Sequence, residues 1–155
     1  MLWGVTLKQP WASAIAYGPK RVENRLWPPS PDLPFWLAIH AGANKEDLSL
    51  LAESELGQLW SGYPRAPMPH SAIIAVAQVV GAVPEEVAAR SPADGVAEWA
   101  MGPWCWLLTG VVAFGSPVPC RGSRGLWPVV GPLLLAVRAE YARATAEVGD
   151  GHANA

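Results

Sequence analysis

Residues 5–25 read Val5-Thr6-Leu7-Lys8-Gln9-Pro10-Trp11-Ala12-Ser13-Ala14-Ile15-Ala16-Tyr17-Gly18-Pro19-Lys20-Arg21-Val22-Glu23-Asn24-Arg25. Val5-Thr6-Leu7 is a short apolar strand. Pro10 suits the first turn of a helix, where its missing N–H leaves no donor unmatched. Residues 11–17 continue that helix, and Gly18-Pro19 ends it. Residues 20–27 then read as a second strand, in which Arg21, Glu23 and Arg25 share one face opposite Val22. A strand, a tight turn, a short helix and a strand within about 25 residues predict small elements packed closely together.

The rest of the chain continues in this style. Residues 28–31 are a proline loop, and residues 35–40 form an apolar strand ending at His40. A helix is predicted from about Asn44 to Trp60, capped by Asn44, with Glu46 and Asp47 in its first turn and Leu48, Leu51 and Leu59 on its apolar face. Residues 72–83 are a buried strand carrying a bulge near Gln78 and Gly81. Residues 84–102 give a short helix and loop, and residues 104–114 another buried strand. Residues 117–127 are irregular and rich in Arg and Gly. Residues 133–146 form a closing helix, and residues 147–155 a frayed polar tail. With 16 Pro and 15 Gly in 155 residues, long elements are disfavoured. Five to six strands among two to four helices predict an α+β fold built as a small mixed β-barrel flanked by helices, in a single domain over residues 1–146.

Composition excludes several classes. Hydrophobic residues make up 51% and charged residues 15%, which rules out a disordered chain. The most apolar stretches, residues 104–114 and 126–137, fall well short of the roughly 20 residues of a helical membrane span. No secretory signal pattern opens the chain, and Cys105 and Cys120 are too few for a disulfide framework, so a cytoplasmic protein is expected. No Walker loop, Gly-x-Ser-x-Gly elbow or dinucleotide fingerprint occurs, and His40, His70, Cys105 and Cys120 lack metal-ligand spacing, so neither a cofactor nor a metal is expected.

The net charge of −2 conceals an asymmetry. Residues 1–27 and 116–130 hold Lys8, Lys20, Arg21, Arg25, Arg121 and Arg124 against one acid, Glu23, a net of +5; the remainder carries −7. The same segments hold Trp3, Trp11, Trp27 and Trp127. Cations that meet phosphates and flat rings that stack on bases are what a site for single-stranded nucleic acid requires. In that reading Lys8, Lys20, Arg21, Arg25, Arg121 and Arg124 face phosphates, and Gln9 and Glu23 hydrogen-bond a base edge on which Trp11 stacks. Gly122 and Gly125 let the backbone beside Ser123 approach an anion.

Leu7-Lys8-Gln9-Pro10-Trp11-Ala12-Ser13 followed by Gly18-Pro19-Lys20-Arg21-Val22-Glu23-Asn24-Arg25 resembles the opening of ASCH domains, the activating-signal-cointegrator homology family. The family hallmark, Gly-x-Lys-x-x-Glu-x-Arg, is matched by Gly18, Lys20, Glu23 and Arg25. Trp36-Leu37-Ala38-Ile39-His40-Ala41 is similar to the next family strand. Pro117-Val118-Pro119-Cys120-Arg121-Gly122-Ser123-Arg124-Gly125-Leu126-Trp127 is similar to its C-terminal loop. The resemblance implies a PUA-like barrel with a cleft beside the first helix, and a protein that binds RNA, other single-stranded nucleic acid or a modified nucleoside. It also implies an enzymatic alternative, because some members hydrolyse acetylcytidine and a ribonuclease activity is known in the family; Lys20 and Glu23 would then be catalytic. In the acetylcytidine hydrolases a Thr nucleophile stands three residues after the hallmark Lys. Here Glu23 occupies that place, and Ser13 or Ser123 would supply a hydroxyl instead. A third reading is a protein-interaction module presenting Trp60 or Trp99 to a partner.

Overall fold

The computed structural model describes residues 1–46 and 53–153. The first strand, β1 (Leu2–Gln9), is longer than Val5–Leu7 because Val5, Leu7 and Gln9 all turn one face into the interior, while Lys8 faces out. It is followed by α1 (Trp11–Ala16) and β2 (Val22–Arg25). After the proline loop come β3 (Phe35–Lys45), α2 (Glu53–Leu59) and β4 (Ala72–Pro84). Then follow α3 (Glu85–Ala88), a 3-10 turn at Ala97–Trp99, β5 (Trp104–Pro119), β6 (Leu126–Pro128) and α4 (Gly131–Ala153).

The six strands form one mixed sheet in the order β2-β5-β4-β3-β1-β6. Every neighbouring pair is antiparallel except β1–β3, which is parallel with Thr6 opposite His40. β2 and β6 are the two edges, so the expected barrel does not close. Both edges are too short to close it: β2 has four residues, and β6 has three and ends on Pro128, which has no N–H to donate. The α1 helix links β1 to β2 and packs on the face of the four inner strands, touching β1, β3, β4 and β5.

That position explains the composition of α1. Ala12, Ile15 and Ala16 pack on the sheet with Val5, Leu37, Ile39, Ile74 and Trp106. Ala14 faces a second cluster with Leu56, Trp60, Val96 and Trp99. A helix buried on both sides needs small residues, and Ser13, its one buried polar side chain, is tied to Gln9. The opposite face of the sheet carries Ala38, Val76, Phe114 and Val118, covered by Val137 and the flanking Leu133, Leu134 and Tyr141 of α4.

Three boundaries differ from expectation. Asn44 does not cap a helix: β3 continues to Lys45, which pairs with Gln9, and the Glu46 N–H donates to the Gln9 carbonyl at 2.8 Å. The predicted positions of Asp47, Leu48 and Leu51 lie outside the described residues. β5 runs five residues beyond Phe114 because Val118 is buried between Pro117 and Pro119 and pairs with Ile73. α4 carries helix through residues 147–153, read in the sequence as a polar tail. The bulge expected in β4 is present, with register shifts between Val76 and Gln78 and between Val79 and Gly81.

Candidate functional site

The Gly18-Pro19 turn folds Lys20 inward rather than onto a strand face. Its ammonium is 3.7 Å from a Glu23 carboxylate oxygen and donates to the Val22 carbonyl. The other Glu23 oxygen lies 3.7 Å from Arg25. Lys20 is 3% exposed and Glu23 5%, so this Lys–Glu–Arg chain is an internal structure and not a phosphate-facing row. Burial pushes Lys20 below its ordinary range, against the pull of Glu23. Burial likewise pushes Glu23 upward, against Lys20 and then Arg25. The Arg25 guanidinium sits 5.4 Å from the centre of the Trp27 ring and 5.9 Å from that of Trp106, which holds it over aromatic faces. Arg21 turns back on α1 and donates to the carbonyls of Ile15, Gly18 and Lys20, closing the helix end.

Gln9 and Trp11 are also absorbed by the scaffold. The Gln9 amide donates to Ser13 Oγ and to the Pro69 carbonyl, both at 2.8 Å, while its oxygen accepts from the Ser13 N–H. Both of its donors are in use, so it has none left for a base. Trp11 meets the edge of Trp99 at 6.5 Å. Trp60 and Trp99, the partner contacts of the protein-interaction reading, are buried at 4% and 2% exposure.

The remaining predicted residues do reach the surface. Arg121, Ser123 and Arg124 are exposed on the loop between β5 and β6. This loop lies against the in-register pair Thr6 and His40. The Ser123 N–H donates to Thr6 Oγ1 at 3.2 Å, and His40 Nε2–H donates to the Cys120 carbonyl at 2.9 Å. Gly122 makes the close approach possible, because a Cβ there would lie 2.6 Å from His40 Nδ1. His40 is buried and 5.9 Å from the Trp127 ring, edge to face. Its pKa is lowered by burial, and its Nδ1 has no partner.

A cleft of about 210 Å³ opens beside the start of α1, between Gln9 and Pro10 on one side and Tyr63, Pro64 and Met68 on the other. Lys45 and Glu46 complete its wall. Lys8 is exposed nearby and reaches Glu46 at 3.6 Å. Lys45 is a cation the sequence reading omits: it looks like part of a helix until β3 is known to continue through it. Lys8 and Lys45 stand at the C-terminal ends of the parallel strands β1 and β3, and the arginine loop packs on the same two strands a few residues earlier. Lys20 and Arg25 belong to the β2 end of the molecule instead.

No family model matches the sequence, and no curated protein matches it either. Solved structures do. A serine-to-alanine mutant of ZmASCH from Zymomonas mobilis superposes with a TM-score of 0.58 at 15% identity, over 89% of this chain and 94% of that one. A tyrosine-to-phenylalanine mutant of the same protein gives 0.57 at 15% identity, over 89% and 96%. The fold is that of an ASCH domain. Gly18, Lys20, Glu23 and Arg25, the residues that resemble the ASCH hallmark, lie on the α1–β2 turn and on β2. Among the described residues the ASCH fold holds no group of three or more metal-ligating side chains, and none of its helices is long and apolar enough to cross a membrane.

Proposed function

We propose that this protein binds single-stranded nucleic acid, RNA or a strand carrying a modified nucleotide, across the ends of β1 and β3. The observation that carries the reading is the gathering of exposed Lys8, Lys45, Arg121 and Arg124 around that end of an ASCH fold, with Ser123 between the arginines. Arg121 and Arg124 hold phosphates, and Lys8 and Lys45 continue the track past the cleft. The cleft is smaller than the roughly 300–1,000 Å³ of a pocket enclosing a whole small molecule, which favours a strand lying across it. Lys20, Glu23, Arg21 and Arg25 support this surface by fixing α1 and β2.

Four phosphate contacts on a single strand give a log–log salt slope of about −0.7 each, roughly −3 in total. Affinity for a short single-stranded RNA, micromolar at moderate salt, then falls about 50-fold between 50 and 200 mM salt. Anisotropy titration of Arg121→Ala/Arg124→Ala should lower the slope by about 1.4. Tight binding with no salt dependence, or a double mutant with the wild-type slope, would remove the reading.

One observation favours a second reading, a hydrolase acting on a modified nucleoside or a ribonuclease. Lys20 and Glu23 are driven in opposite directions by burial, an arrangement suited to exchanging a proton. A substrate would have to part α1 from β2 to reach them. Mass spectrometry of acylated nucleosides and single-stranded RNA incubated with wild type and Lys20→Met decides it: a Lys20-dependent mass change supports the enzyme, and unchanged substrates refute it.

A further inference from the structure

A second opening, larger than the cleft beside α1, lies away from the nucleic-acid surface proposed above. α4 rests on β4 and β5, leaving the outer face of β1 and β3 uncovered where Leu2 stands opposite Trp36. The gap is a groove of about 590 Å³, within the range of small-molecule sites. Its lining includes Val76, Val129 and Val137, all buried, with Leu134 beside them. Trp36, 40% exposed, and Val130, 61% exposed, form the rim. Tyr141 closes one end, its ring edge 5.9 Å from Trp36.

The lining contains one side-chain cation and no acid: Arg138 of α4. Nothing on the helix neutralises it. The positions three and four residues away are Leu134, Leu135, Tyr141 and Ala142, and the nearest acid, Glu140, is paired with Arg143. Among the described residues Arg138 has no ion-pair or hydrogen-bond partner. An apolar trough with an unmatched guanidinium at its side complements a molecule with a hydrocarbon body and an anionic head.

We propose that the groove between α4 and the β1–β3 face binds a small amphipathic carboxylate, its chain against Trp36, Val76 and Leu134 and its carboxylate on Arg138. Hydrogen bonds to a charged partner contribute about 1.5–3 kcal/mol, or roughly 10- to 100-fold in affinity, so the head group should discriminate strongly.

Calorimetric titration of the whole chain with decanoate, decanol and decylamine tests this, with sedimentation velocity at the same concentrations. Decanoate should bind saturably at one site, at least 10-fold more tightly than decylamine. Arg138→Gln should reduce decanoate to the level of decanol and leave decanol unchanged. Val130→Trp, at an exposed rim position that a larger ring can occupy without disturbing the core, should abolish binding of both. Equal binding of the three probes, an unaltered Arg138→Gln variant, or undiminished binding by Val130→Trp would each overturn the proposal. So would a dimer that Val130→Trp dissociates, which would put a second copy in the groove, or displacement of decanoate by single-stranded RNA.

Discussion

Removing Glu23 should destabilise the protein more than removing Lys20, although the two are partners. Lys20→Met leaves Glu23 with Arg25, still 3.7 Å away. Glu23→Gln leaves Lys20, 3% exposed, with the Val22 carbonyl and no counter-charge, and also strips Arg25 of its carboxylate. Breaking a buried ion pair from one side costs about 3–5 kcal/mol. Glu23→Gln belongs in that range, and Lys20→Met at or below its lower end. With a urea dependence of about 2 kcal/mol per M, the unfolding midpoint of Glu23→Gln should fall by roughly 1.5–2.5 M. Lys20→Met/Glu23→Gln should recover part of that loss, because no buried ammonium then lacks a partner; the two changes should be non-additive by more than about 1 kcal/mol. Urea unfolding followed by tryptophan fluorescence measures all four proteins. Two single mutants each costing under about 1 kcal/mol, with an additive double, would show that Lys20 and Glu23 are hydrated and that their internal placement is mistaken.

Other expectations rest on separate contacts. Gly122→Ala pushes a methyl group against His40 and Thr6, so the arginine loop must lift; a loss of about 1–3 kcal/mol is expected by urea unfolding, together with weaker RNA binding. Gln9→Ala strands the Ser13 N–H and the Pro69 carbonyl and should cost about 1–3 kcal/mol by the same assay. Because burial lowers the folded pKa of His40 below the unfolded value of about 6.5, its contribution is fully present above that value and is lost as pH falls through the folded pKa. The urea midpoint should therefore drop between pH 7.5 and pH 5 by more in wild type than in His40→Gln. An equal drop would mean that His40 already accepts a proton when folded.

The turns into and out of α1 were legible because Pro10 and Gly18-Pro19 are punctuation with a mechanism. The buried strand at residues 104–114 was legible because it is a continuous apolar run. The end of β5 was hidden, since Pro117 and Pro119 read as breakers and only the tertiary position of Val118 keeps them in a strand. Lys45 was hidden behind the Asn44 helix signal, which lost to pairing with Gln9. Arg121, Ser123 and Arg124 were found in the sequence as an exposed polar loop. Lys20 and Glu23 were read as meeting a phosphate and a base edge because an ammonium and a carboxylate suit those partners, and period-2 reasoning cannot show a turn folding a lysine back under its own strand.

The strand order also governs when the molecule becomes complete. β1 is made first, yet one of its two neighbours, β6, is nearly the last strand-forming segment to be made. A nascent chain can pair β3, β4 and β5 among themselves while one flank of β1 stays open. Docking of Leu126–Pro128 onto Trp3, Gly4 and Val5 is what brings the adjoining arginine loop down on Thr6 and His40. The cationic surface is thus completed only after Pro128 has left the ribosome, so a shortened product ending before β6 would keep Lys8 and Lys45 on the sheet and lose the anchor that holds the arginine loop beside them.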